Sequence, residues 1–117
     1  MEKKPAPESN FARVSGLLQQ LRQRWTPDGS LAVIAEVHTP RPQLGPVRAG
    51  IQEMQPMPIR ATGKAAEALV RAEGRQVEVT GCLRRRYYSR EGEPCWGQVE
   101  IWVESCHPLE GSDADRN

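Results

Sequence analysis

Apolar and polar positions alternate most cleanly in Gln76–Tyr88. Val77, Val79 and Leu83 share one face there, and Glu78, Thr80, Cys82, Arg84, Arg86 and Tyr88 share the other, which predicts a strand. Arg90-Glu91-Gly92 turns the chain into a second alternating run, with Val99, Ile101 and Val103 inward and Trp96, Gln98, Glu100, Trp102 and Glu104 outward. Leu31–Thr39 is rich in β-branched residues and lies between the turn Thr26-Pro27-Asp28-Gly29 and Pro40, so it reads as another strand.

The remaining runs are less regular. Phe11, Val14, Leu18, Leu21 and Trp25 fall at helical spacing behind a cap at Ser9 or Asn10. Gly16 in the interior and the turn directly after Trp25 favour strand, turn, strand, and Phe11–Trp25 is expected to be extended. Residues 40–50 hold three prolines and two glycines and read as a long loop. Ile51–Thr62 is then a poor strand confined to an edge or a bulge by Pro56 and Pro58. Residues 63–74 combine strong helix formers with a terminating Gly74 and predict one short helix.

The hairpin register decides which side chains meet. A three-residue loop at 90–92, with Gly92 left-handed, pairs Ser89 with Glu93 and then Arg86 with Trp96, Arg84 with Gln98, Cys82 with Glu100 and Thr80 with Trp102. Val79 then meets Val103 and Leu83 meets Val99. The polar face sets guanidinium groups beside flat rings, the combination that holds the phosphates and unpaired bases of a single nucleic-acid strand. A cation-π pair closing the hairpin accounts equally for Trp96 over Arg86, and a subunit interface for Trp102.

Composition narrows the class. The 117 residues suffice for one domain, and 38% hydrophobic content with ten glycines and ten prolines allows only a thin core. Residues 1–9 and 110–117 have nothing to bury and are expected to be disordered, flanking a domain at 10–109. No stretch approaches the length of a membrane span, and the odd set Cys82, Cys95 and Cys106 lacks a C-x-x-C. A reduced, cytoplasmic protein without metal or other cofactor is expected.

The net charge of +1 hides a sorting of charge along the chain. Residues 60–90 carry eight cations against three glutamates, and residues 91–117 carry seven acids against Arg116. Such sorting suits a basic groove with an acidic tail elsewhere, or salt bridges between neighbouring strands.

Strand, turn, strand, proline-rich loop, strand, helix and long hairpin is the order of an OB-fold: all-β with one short helix, a five-stranded Greek-key barrel with the helix between strands 3 and 4. The segments Val14-Ser-Gly16, Thr26-Pro-Asp-Gly29, Gly63-Lys-Ala-Ala-Glu67, Gly74-x-x-Val77-x-Val79-x-Gly81-x-Leu83-Arg84 and Tyr88-Ser-Arg-Glu-Gly92 occur in order between about Val14 and Leu109. In these the chain resembles the bacterial single-stranded DNA-binding protein family, including its primosomal replication protein N-like members.

The resemblance implies a non-enzymatic protein that holds single-stranded DNA, assembles as a homodimer or homotetramer, and serves replication, replication restart, recombination or a mobile element beside other replication or recombination proteins. Tyr88 and Trp25 occupy stacking positions of the family, whereas two further stacking positions fall on Pro56 and Thr62. The tail ends Ala-Asp-Arg-Asn, without the acidic, Phe-terminated peptide of the family's main members.

The candidate nucleic-acid-binding residues are Trp25, Arg60, Arg84, Arg85, Arg86, Tyr88, Trp96 and Trp102. Catalysis finds no support, since neither His38 nor His107 has a nucleophile nearby in sequence and no phosphate-binding G-x-x-x-x-G-K loop is present. The competing reading is an OB-fold adaptor that binds another protein through its sheet and outward tryptophans.

Overall fold

The computed structural model describes residues 8–46 and 53–109. Its elements are β1 (Ala12–Trp25), β2 (Leu31–Pro40), β3 (Met54–Thr62), α1 (Gly63–Arg71), β4 (Gln76–Arg90) and β5 (Glu93–Pro108). The strands close into a barrel in the order β1-β2-β3-β5-β4, the five-stranded architecture of an OB-fold with its helix between β3 and β4. The terminal segments expected to be disordered lie outside the described residues, apart from Glu8 and Ser9, which are in no strand or helix.

Phe11–Trp25 is extended from Ala12 onward, and its helical spacing has a physical explanation. Val14, Gly16 and Leu18 turn inward at the strand period, and then Gln20 and Leu21 together oppose Ala35 in a β-bulge. Gln20 sits at φ 58°, and the bulge makes the step from Leu18 to Leu21 three residues long. One inserted residue in a strand thus mimics one turn of a helix. Phe11 and Trp25, the ends of the apparent helical stripe, are exposed.

β3 pairs with β2 along its whole length but meets β5 only at Ile59 and Arg60. Pro56 and Pro58 lie before that contact, on a stretch whose second edge has no strand partner among the described residues to require an N–H. The edge expected from the prolines is therefore present. Helix α1 follows directly and buries Ala66 and Leu69 against the barrel, joining a core built from Leu18, Val33, Val37, Ile59, Val77, Val79, Ile101 and Val103. Past the helix Gly74, at φ 84°, donates its N–H to the Leu18 carbonyl at 2.8 Å and steers the chain into β4.

The β1–β2 turn is held by side chains. The Asp28 carboxylate accepts from the Thr26 hydroxyl and from the Ser30 N–H at 3.0 Å. The Thr26 bond, then those from Ser30, hold the Asp28 carboxyl below its usual pKa. The depressed value means that this turn is favoured above the ordinary carboxylate range and loses that support as pH falls through the lowered value.

The β4–β5 hairpin corrects the expected register. Its loop has two residues, because Glu91 at φ 53° and Gly92 at φ 79° form a turn with both central residues left-handed, and Arg90 pairs with Glu93. Two bulges on β5 follow, one where Gly97 and Gln98 oppose Arg86 and one at Glu104. The pairs become Tyr87 with Trp96, Arg84 with Glu100, Cys82 with Trp102 and Thr80 with Ser105. Leu83 faces Ile101 in place of Val99, and Val79 faces Cys106 in place of Val103. Leu83 and Val99, expected inside, are exposed, because the hairpin runs on past the barrel and no described residue covers its inner face there.

Gly81 lies where β4 passes closest to β5, and a Cβ there would stand 2.0 Å from the Trp102 carbonyl oxygen. Backbone cannot yield as a side chain does. Gly81→Ala is expected to cost about 3 kcal/mol, the upper end for overpacking, read as a lower urea midpoint at unchanged slope.

Candidate nucleic-acid interface

The alternation of each strand carries one set of side chains to the outer face of the barrel, and register aligns them in rows. Arg22, Ile34, Arg60, Trp102 and Cys82 are successive partners across β1, β2, β3, β5 and β4. One step along, Glu36 partners Pro58 and Glu100 partners Arg84. β4 keeps its alternation without interruption, so Arg84, Arg86 and Tyr88 follow Cys82 on this face as expected.

At the centre Arg60 and Glu100 form a bidentate pair, Nε to Oε1 at 3.1 Å and Nη2 to Oε2 at 3.2 Å. Glu100 points outward as expected yet is only 4% exposed. The pair is covered from the β4 side, where the Arg84 guanidinium lies 4.7 Å from the Trp102 ring centroid. Arg60, Arg84, Arg85, Arg86, Tyr87, Glu100 and Trp102 line a hollow of about 370 Å³. A second hollow of about 390 Å³ shares Glu100 and runs over Gln20, Arg22, Ile34, Glu36, Pro56, Pro58 and Gln98. The two meet at the central ion pair.

Toward the hairpin tip, Gly97 opens a slot. A Cβ there would lie 3.2 Å from the Arg86 Cβ and 3.5 Å from the Tyr88 ring, so the bare glycine lets arginine and ring lie side by side. Tyr88 remains about half exposed. Arg84 and Arg86 have no carboxylate partner among the described residues, which leaves both guanidinium groups available to an anion.

The other candidates are placed differently. Trp96 does not lie over Arg86: the two-residue turn slides β5 by one position near the tip, and a one-residue slip moves every side chain to the opposite face. Trp96 instead packs edge-on to Tyr87, ring centroids 4.9 Å apart, with the Arg85 guanidinium 5.7 Å from its ring. The Arg85 Nε also donates to the Gly97 carbonyl at 3.1 Å, which ties that guanidinium to the hairpin. Trp25 stands 71% exposed beside the β1–β2 turn and outside both hollows. The structure thus brings together Arg60, Arg84, Arg85, Arg86 and Trp102, puts Tyr88 at the edge of that set, and leaves Trp25 and Trp96 apart from it.

Sequence reasoning missed Glu100, Glu36, Arg22 and Tyr87 as members of the site. Glu100 was legible as outward but not as the partner of Arg60, because the pair forms across the parallel β3–β5 closure, forty positions apart in sequence. The position of Arg22 depends on the β1 bulge, which alternation does not encode, and Tyr87 alternates away from Arg84 and Arg86 yet still lines the hollow.

Cys106 is half-buried and its thiol is pushed up by that burial. Among the described residues no group of three or more His, Cys, Asp or Glu is placed to hold a metal ion, and no helix is long and apolar enough to cross a membrane. The chain matches no protein-family model, and no similar curated protein was found.

Glu100→Gln leaves the Arg60 guanidinium without its countercharge and is expected to lower stability by about 1–3 kcal/mol. Glu36→Gln, on a half-exposed side chain, is expected to stay within about 0.5 kcal/mol of the parent. Urea denaturation of the two variants beside the parent checks both.

Proposed function

We propose that this chain is a non-enzymatic single-stranded DNA-binding protein, a member of the bacterial family that its motifs resemble. Its proposed setting is replication, replication restart, recombination or the upkeep of a mobile element. The observation that carries the reading is the outer face of the barrel, where the guanidinium groups of Arg84 and Arg86, without a carboxylate partner among the described residues, border a hollow lined by the Trp102 ring. Phosphates bind the guanidinium groups, and bases rest on the flat groups of the same face, Trp102 and Tyr88. Arg60 is already paired with Glu100, so on this reading the phosphate contacts fall mainly to Arg84 and Arg86.

A second reading rests on the other face of the hairpin, where Leu83, Trp96 and Val99 are exposed and are bordered by Tyr87, which also lines the arginine-rich hollow. A small monomer seldom leaves so much contiguous apolar surface in water. This surface supports self-association as a homodimer or homotetramer, and it equally suits the adaptor reading in which the partner is another protein. Light scattering at tens of micromolar is expected to give a mass above that of one chain; a strictly monomeric mass removes self-association.

Titration of tryptophan fluorescence with an unlabelled oligonucleotide tests the main reading. Quenching that weakens steeply with salt is expected, and an unchanged signal at micromolar protein favours the adaptor. Tyr88→Ala is expected to cost about 1–3 kcal/mol of affinity with little change in salt dependence. Replacing Arg84 and Arg86 by Ala is expected to flatten the slope of log affinity against log salt by about 0.7 for each phosphate that no longer pairs with an arginine. If neither replacement moves affinity or slope in a folded protein, this face does not bind the strand.

A further inference from the structure

The hollow over β2 and β3 differs in chemistry from the arginine-rich one beside it. Ile34, Pro56 and Pro58 contribute apolar lining, and its polar groups include two carboxylates, Glu36 and Glu100. One oxygen of Glu36 bonds the His38 ring at 3.0 Å and the other has no partner among the described residues. Each Glu100 oxygen accepts one bond from Arg60, so its charge is answered while each oxygen keeps capacity to accept a further hydrogen bond. Arg22 stands at the far side.

A phosphate entering here would meet the Glu36 carboxylate, whereas Arg84 and Arg86 have no carboxylate partner among the described residues, so the backbone of a bound strand belongs on those arginines and a base belongs here. The Pro56 and Pro58 rings and the Ile34 side chain offer apolar contact that does not depend on which base enters. The edges are not equivalent. Cytosine offers a carboxylate its exocyclic amine, whereas thymine presents carbonyl oxygens on both sides of its single N–H, and these would face the carboxylates as like partial charges. We propose that the hollow bounded by Glu36 and Glu100 is a base subsite that favours amino-bearing bases and disfavours thymine. The inference rests on the single-stranded DNA-binding reading above, and it adds a preference that phosphate contacts and stacking do not confer.

Oligo-dC and oligo-dT of equal length are both pyrimidine strands with the same backbone charge, so they isolate the edge. Titrating each into the full chain by tryptophan fluorescence is expected to give dC the tighter binding, by about five-fold or more. Glu36→Gln keeps shape but presents an N–H donor as well as an acceptor, and it is expected to narrow the gap mainly by improving dT. Its salt slope should match the parent, because no phosphate contact is altered. Equal affinities in the parent, or tighter binding of dT, overturn the subsite while leaving the DNA-binding reading standing. A gap that Glu36→Gln leaves untouched also overturns it. Binding of neither strand at low salt overturns the DNA-binding reading itself and the subsite with it.

Discussion

The barrel closes because one strand belongs to two neighbours. The first half of β1 pairs with β4 from Ala12 to Leu17 and the second half with β2 from Leu17 to Trp25, so the strand must bend as it leaves one sheet edge for the other. Gly16 stands at the crossing, where a Cβ would come within 2.1 Å of the His38 carbonyl oxygen. The bulge at Gln20 and Leu21 supplies the rest of the bend and returns an apolar side chain to the interior. Without this strand β2 and β4 would each present an open edge. With it, the outer faces of all five strands become one surface, on which Arg22 of β1 and Cys82 of β4 stand in a single row.

Bulges also decide what that surface carries. The two-residue turn at Glu91 and Gly92 sets Trp96 on the far side of the hairpin, and the bulge at Gly97 and Gln98 then restores the original parity, so that Glu100 and Trp102 face outward again. Had either feature been absent alone, Trp102 would have turned inward and Ile101 outward. The cation-π contact between Arg84 and Trp102 and the ion pair between Arg60 and Glu100 both follow from that double shift. The glycine that allows the bulge also makes the slot beside Tyr88, so one residue serves register and surface together.

These shifts explain how far the sequence could be read. Strand identities, the short helix, the inward set Val77, Val79, Ile101 and Val103 and the outward set on β4 are properties of alternation and turn chemistry, and they were legible. The five-stranded barrel followed from element order. Cross-strand partners were not legible, because Glu91 occupies a left-handed turn position usually filled by Asn or Gly. The pairing of Arg60 with Glu100 was not legible because the partner arrives across the barrel closure. Leu83 and Val99 looked like core because alternation marks a face but does not say where along the strand the barrel ends.

The central ion pair gives the proposed interface its division of labour. Transferring Arg60 and Glu100 out of water is costly, and their bidentate geometry offsets that cost only while both are present. The pair is therefore close to neutral as an electrostatic feature, and it interrupts what would otherwise be an unbroken line of positive charge from Arg22 to Arg86. On the proposed reading phosphates are drawn to the β4 side, where Arg84 and Arg86 lack carboxylate partners among the described residues. Over β2 and β3, where the resemblance would place an aromatic ring, Pro56 offers a smaller flat group beside two carboxylates. A face with few rings gains little from stacking, so the proposed function would draw its affinity mainly from counterion release and its discrimination from polar edges. The same side-chain set that weakens general stacking is the one that gives the floor an acceptor-rich rim.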